Sequence, residues 1–347
     1  MRKNLCTGLH LLGSLLIAGF GFASTAHAQR AAAEAQNQLD ALIKGAKAEG
    51  ELTFYSTPTE NVANRIRDAF TKKYGIKVQF LRMAGSPLQQ RYSTEAEAGT
   101  FVADVVLNAG NSIEYAEFGI GKGWLEPVAT AGIPVLTSGE FPAKFMMGPT
   151  AIIQVAPWGL AYNTRKITAA EVPKEWPDML NPKFKGQVIM VDPRTSGAQS
   201  DHWTLILEKH GENFFTQLRA QDPRRYSGGV PAINALAAGE GSFQVPTILA
   251  QVQGLKDKGA PVEWVAMSPS TGVEIQVTLT SRVKARHPNA GRLFANYVMS
   301  QEGNKVVNDD PGGMTIYDTG RLPRGYESPK PGSSARLGQF MKLLGFE

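Results

Sequence analysis

"ELTFYSTPTENVANRIRDAFTKKYGIKVQFLRMA", residues 51 to 84, changes its hydrophobic period twice. "ELTFYS" is a short apolar run that predicts a strand. "TENVANRIRDAFTKKYG" puts Val62, Ile66, Ala69 and Phe70 on one helical face, and "IKVQFLRMA" predicts a second strand. The same rhythm continues on both sides. Before it, "AAAEAQNQLDALIKGAKAEG" spaces Leu39, Leu42, Ile43 and Ala46 as a helix stopped at Gly50. After it come a helix from Ser86-Pro87, the strand "ADVVLNA" and the helix "SIEYAEFGIGKG". Strand and helix alternating in this way predict the α/β class, with a parallel sheet covered by helices on its faces.

The middle of the chain departs from that rhythm. "AIIQVAPWGLAYNT", residues 151 to 164, is apolar but broken by Pro157 and Gly159, so it reads as a crossing between two lobes and not as an ordinary sheet strand. A second α/β series follows through "GQVIMVDPRTSGAQSDHW" and "INALAAGEGSFQVPTILAQ". Pro269 and Gly272 then mark a second crossing.

Ligands of open α/β sheets sit outside the carboxyl ends of the strands, where helix N-termini present unpaired amides. The strand-to-helix turns here carry small polar residues: Ser56, Thr57 and Thr59, then Gly85 and Ser86, then Asn108, Gly110, Asn111 and Ser112. The second series repeats the pattern at Thr195, Ser196 and Gly197, and again at Ser227, Gly228 and Gly229. Thr59, Ser86 and Ser112 also suit plain helix capping. Trp158 at the crossing and Thr247 after the last strand of the second series complete the candidate ligand-binding set, and Arg194 is the best-placed cation beside it, with Arg82 and Arg91 further candidates.

Composition narrows the chemistry. Arg2 and Lys3, an apolar run and Ala26-His27-Ala28 read as a signal peptide over residues 1–28, cleaved after Ala28, which places the mature protein in the periplasm. The formal charge of +5 becomes +3 once Arg2 and Lys3 leave, and no basic run tracks a nucleic-acid backbone. The single cysteine, Cys6, leaves with the signal peptide, which removes disulfides and thiolate chemistry. His202, His210 and His287 lack metal-site spacing, and neither a G-x-S-x-G turn nor a sequence-adjacent serine and histidine pair suggests an enzyme. No metal or cofactor is expected.

"AKAEGELTFYS", "ADVVLNAG", "GLAYNT", "WPDMLNPKFKGQVIMVDPRTSGA" and "HPNAGRLFANYVMSQEG" together resemble the solute-binding proteins of ABC importers, in the type II group that contains the ferric-ion binders. The resemblance runs through essentially the whole mature chain. It implies a periplasmic binding protein type II fold: two doubly wound α/β lobes joined by crossing hinge strands, closing on a solute and delivering it to a membrane permease and its ATPase. By that resemblance lobe 1 spans 29–156 and 265–310 and lobe 2 spans 160–260 and 311–347, with hinge crossings near 157–159 and 261–272. The protein is expected to act as a monomer.

One departure bears on the solute. The ferric binders of this group carry two adjacent tyrosines where this chain has "FQVPTILAQ", and no Tyr-Tyr pair occurs in it. Iron(III) favours hard anionic oxygens. Amide-rich turns favour a small organic anion such as a carboxylate or phosphonate. Ferric binding through other or anion-supplied ligands, and a ligand-sensing subunit for a signalling receptor, are the alternatives.

Overall fold

The computed structural model describes residues 18–309 and 311–347, with side chains from residue 29, so the expected signal peptide and its cleavage site lie outside the residues whose side chains are described. Among the described residues no helix is long and apolar enough to cross a membrane. Helix α1 (Ala18–Glu49) leads into the βαβ series β1 (Glu51–Ser56), α2 (Glu60–Tyr74), β2 (Lys77–Arg82), α3 (Gly85–Glu97), β3 (Val105–Ala109) and α4 (Ser112–Gly121). Short elements β4 (Leu125–Glu126), α5 (Pro134–Thr137) and β5 (Met146–Met147) precede β6 (Thr150–Pro157). As the alternating pattern requires, β1 lies parallel to both β2 and β3.

The stretch at 151–164 does pass from one sheet to the other, as the expected crossing requires, but it does so as ordinary sheet strands, which corrects that part of the expectation. It is two sheet strands, β6 and β7 (Gly159–Asn163), with only Trp158 between them. Pro157 is tolerated because it ends its strand. From β7 the chain builds a second sheet with β8 (Val188–Val191), α6 (Gly197–Ala220), β9 (Arg224–Tyr226), α7 (Gly229–Ala238), β10 (Phe243–Thr247), α8 (Leu249–Lys256) and β11 (Val262–Ala266). Strand β12 (Gly272–Thr280) then returns to the first sheet, followed by α9 (Pro288–Met299), α10 (Gln301–Val307) and the terminal α11 (Leu337–Leu344).

The first sheet runs β2-β1-β3-β12-β6-β5 with β4 on β12, and the second runs β11-β7-β10-β8-β9. Both crossings lie side by side: Gly272 pairs with Pro157, and Trp158 N donates to Thr271 O at 2.8 Å. Gly159 must be glycine because a Cβ there would lie 2.2 Å from Val265 O.

Each sheet has its own core. Phe54, Phe70, Phe294 and Tyr297 anchor the first, with Phe54 and Phe294 stacked 4.7 Å apart. Trp176, Trp203, Phe215 and Phe243 anchor the second. Two details differ from the expected division. Val265 and Ala266 lie in β11 of the second sheet, opposite Leu160 and Gly159. The segment after residue 310 is also divided: Met314 and Ile316 join the first core, whereas Phe340 and Leu344 join the second. The apolar face of α11 matches the second core, while Met314 is held by exchanging backbone hydrogen bonds with Val155.

Candidate functional site

A cleft of about 430 Å³ opens between the two halves, at the carboxyl ends of both sets of parallel strands. The first half contributes Thr57, Thr59, Gly85 and Trp158, and the second contributes Thr195, Ser196, Ser227 and Gly228. The topology converges them because right-handed crossovers send every helix of a parallel series back from the same sheet edge.

The helix starts are the main feature. Thr59, Ala84, Ser196, Gly228 and Ile248, the N-cap residues of α2, α3, α6, α7 and α8, all line the cleft. Only Ser196 caps its own helix, its Oγ accepting from Ala198 N at 3.3 Å. At the other four no side chain makes a cap bond. First-turn amides are left for a solute there, and the helix dipoles make the cleft electropositive. The capping expected of Ser86 and Ser112 is corrected too. The caps are Ala84 and Asn111, since α3 begins at Gly85, one residue before Ser86, and α4 begins at Ser112 itself.

Other sequence candidates fall elsewhere. Ser56 and Asn108 are buried below the cleft, and Asn108 Nδ2 donates to Ser112 Oγ at 3.2 Å. Ser86 points to the exterior. Thr247 is buried and donates through Oγ1 to Gln251 Oε1 at 3.0 Å. Gly110, Asn111 and Gly197 form the contact between the halves: a Cβ on Gly110 would lie 2.2 Å from Ala198 N, and one on Gly197 3.1 Å from Asn111 N. The halves therefore touch across the cleft, as in a closed form.

The cations rearrange the expectation. Arg194 is paired with Asp192 at 2.5 Å and Arg91 with Glu95 at 2.8 Å, and neither lines the cleft. Arg82, at the end of β2, does line it, and among the described residues it is the one charged side chain that does. No carboxylate, imidazole or phenol lines the cleft among them, and no group of three or more His, Cys, Asp or Glu is placed to hold a metal ion.

Gln199 escaped the sequence reading. It lies one turn into α6, three residues after Ser196, so helical spacing from the N-cap was the available signal. It lines the cleft at 5 % exposure, and its Oε1 has no protein partner. Trp158 also lines the cleft with its Nε1 buried and unpartnered. Beneath them His202 is enclosed by Trp158, Trp176 and Trp203, and burial pushes its imidazole down to about 3, so it is neutral.

A separate, small hollow of about 30 Å³ lies between the halves on the far side of Gly110. Asp201 from α6, Glu274 from β12 and Glu114 from α4 face it. Residues 326–334 strap across it. Tyr326 Oη donates to Glu274 at 3.1 Å, Gly332 N donates to Glu114 at 2.8 Å, Ser333 Oγ donates to Asp201, and Ser334 Oγ donates to Asn111 Oδ1 at 2.9 Å.

Residues 102–317 match the family described as bacterial extracellular solute-binding protein. An uncharacterised protein of Haemophilus influenzae is 27% identical over 284 residues, 77% of this chain and 78% of that one. The major ferric iron-binding protein of Neisseria gonorrhoeae is 23% identical over 276 residues, 76% of this chain and 75% of its own. Among solved structures, iron-bound HitA from Pseudomonas aeruginosa aligns with a TM-score of 0.65 at 21% identity, over 85% of this chain and 98% of that one. The periplasmic binding protein AfuA from Actinobacillus pleuropneumoniae, with fructose-6-phosphate bound, aligns with a TM-score of 0.63 at 21% identity, over 86% and 97%.

Proposed function

The chain belongs to the bacterial extracellular solute-binding proteins, with the type II periplasmic binding fold, and from that premise we propose that its solute is a small organic anion, a carboxylate or phosphonate, captured between the halves for an ABC importer. The observation that carries the reading is the convergence of five helix N-termini and Arg82 on a cleft that no acidic side chain lines among the described residues. A ferric ion bound by protein groups would need anionic oxygens, and the lining supplies none among the described residues.

Relatives leave room for other solutes, so the test spans them. The exported protein, treated with a chelator, is unfolded thermally against carboxylates, phosphonates, a sugar phosphate, thiamin and ferric citrate. A solute that binds only the folded form, at 100 times its dissociation constant, adds about 2.7 kcal/mol. The expected shift comes with an organic anion and persists after chelation. A shift with ferric citrate alone would replace this reading with iron held by an anion-supplied shell.

A further inference from the structure

Resting on the organic-anion reading, we infer that the solute is a monoanionic organic acid with an apolar body, its acid group between the N-termini of α3 and α6 and its body against the walls around Trp158. The cleft volume fits a molecule of many non-hydrogen atoms and greatly exceeds what a bare inorganic anion fills. Its walls are apolar away from the helix starts: Val62, Val191, Ile248, Val273, Ile275 and the Trp158 ring. A sugar phosphate would set several hydroxyls against those walls without partners, an arrangement that burial penalises. Arg82, the one lining cation among the described residues, balances one negative charge.

The acid is placed where the two halves approach each other within the cleft. A Cβ on Gly85, at the start of α3, would lie 3.5 Å from Ser196 Oγ, the N-cap of α6. An anion there receives the uncapped first-turn amides of α3 from one half and the Ser196 hydroxyl at the start of α6 from the other, and so links binding to closure. Gln199, on the first turn of α6, independently marks that end: its buried Oε1 lacks a partner within the protein, and with the amide turned to present Nε2 in its place the side chain donates to the acid group. Arg82 closes the strand that leads into α3, so its guanidinium serves the same end.

Titration calorimetry of the exported protein with acetate, butanoate, hexanoate, 3-phenylpropanoate, inorganic phosphate and fructose 6-phosphate separates the possibilities. The expected result is an affinity that rises about fourfold per added methylene, the ordinary gain from burying one. Arg82→Gln should weaken every carboxylate about tenfold or more. Ile248→Ser should weaken hexanoate about fivefold or more and acetate by less than about twofold. Flat affinity along the series, or tightest binding of fructose 6-phosphate, overturns the apolar-body inference while the organic-anion reading survives. Tightest binding of inorganic phosphate overturns both. Binding of none of these anions overturns both.

Discussion

Asp201 is a carboxylate held almost without solvent, 8 % exposed, between the two halves. Burial pushes it up to about 7; the hydroxyl of Ser333 opposes that rise, and the facing carboxylates of Glu274 and Glu114 add to it. Tyr326, Glu327 and Lys330 are the other titratable groups that the strap brings close; Tyr326 is spent on Glu274, Glu327 on Lys209 and Lys330 on Glu208. An unfolded Asp titrates near 3.8, so from there to about 7 the folded protein keeps a proton that the unfolded chain has released. Stability therefore falls as pH rises through that window, and the loss is complete above about 7. Asp201→Asn keeps an acceptor for Ser333 and removes the charge. Thermal unfolding should show the variant gaining on the wild type by about 2–3 kcal/mol between pH 5 and pH 8, whereas parallel pH profiles would show that the carboxylate is not strained. Thr195 and Ser196 were legible in the sequence because small polar residues after a strand carry a local signal. Arg82 was legible as one candidate cation among three, but not as the one in the cleft, and Asp201 and Gln199 were not legible at all, because these roles depend on which distant segment faces each residue.

Among the elements, the α6 start and the β3–α4 turn form the contact that defines closure. Gly110 has φ +70 and Asn111 φ 56, so the turn is left-handed and brings backbone, not side chain, against Gly197 and Ala198. Gly110→Ala would cost about 1 kcal/mol locally for its left-handed backbone, and its new methyl group would meet the opposite half only when the cleft closes. The expected outcome is a tenfold or larger loss of solute affinity with a small change in the unfolding midpoint of the solute-free protein. Equal losses in both would mean that the contact belongs to the fold itself. The βαβ rhythm of residues 51–123 was readable because each period sits in one uninterrupted segment. The stretch at 151–164 was harder. Its Pro157 argues locally against a strand, while the β12 partner that makes it one lies more than a hundred residues away.

At the scale of the whole molecule, two sheets with their own core residues, two adjacent crossings and a strap from the carboxyl-terminal segment frame the cleft that the proposed solute capture uses. The alternation of strands and helices, ordered as in one family, made the two-sheet plan legible. The path of the last segment was not, since "RLPRGYESPKPGSSARLG" has no periodicity, and its course is set by Glu274, Asp201 and Glu114 instead. The central claim is that the cleft holds an organic anion by helix N-termini and Arg82. Native mass spectrometry of the exported protein, purified without unfolding, tests it most directly. The account predicts a retained mass that is released as a small organic acid free of metal and is lost from Arg82→Gln. A retained ferric ion, or a neutral or cationic molecule kept equally by wild type and variant, would contradict it.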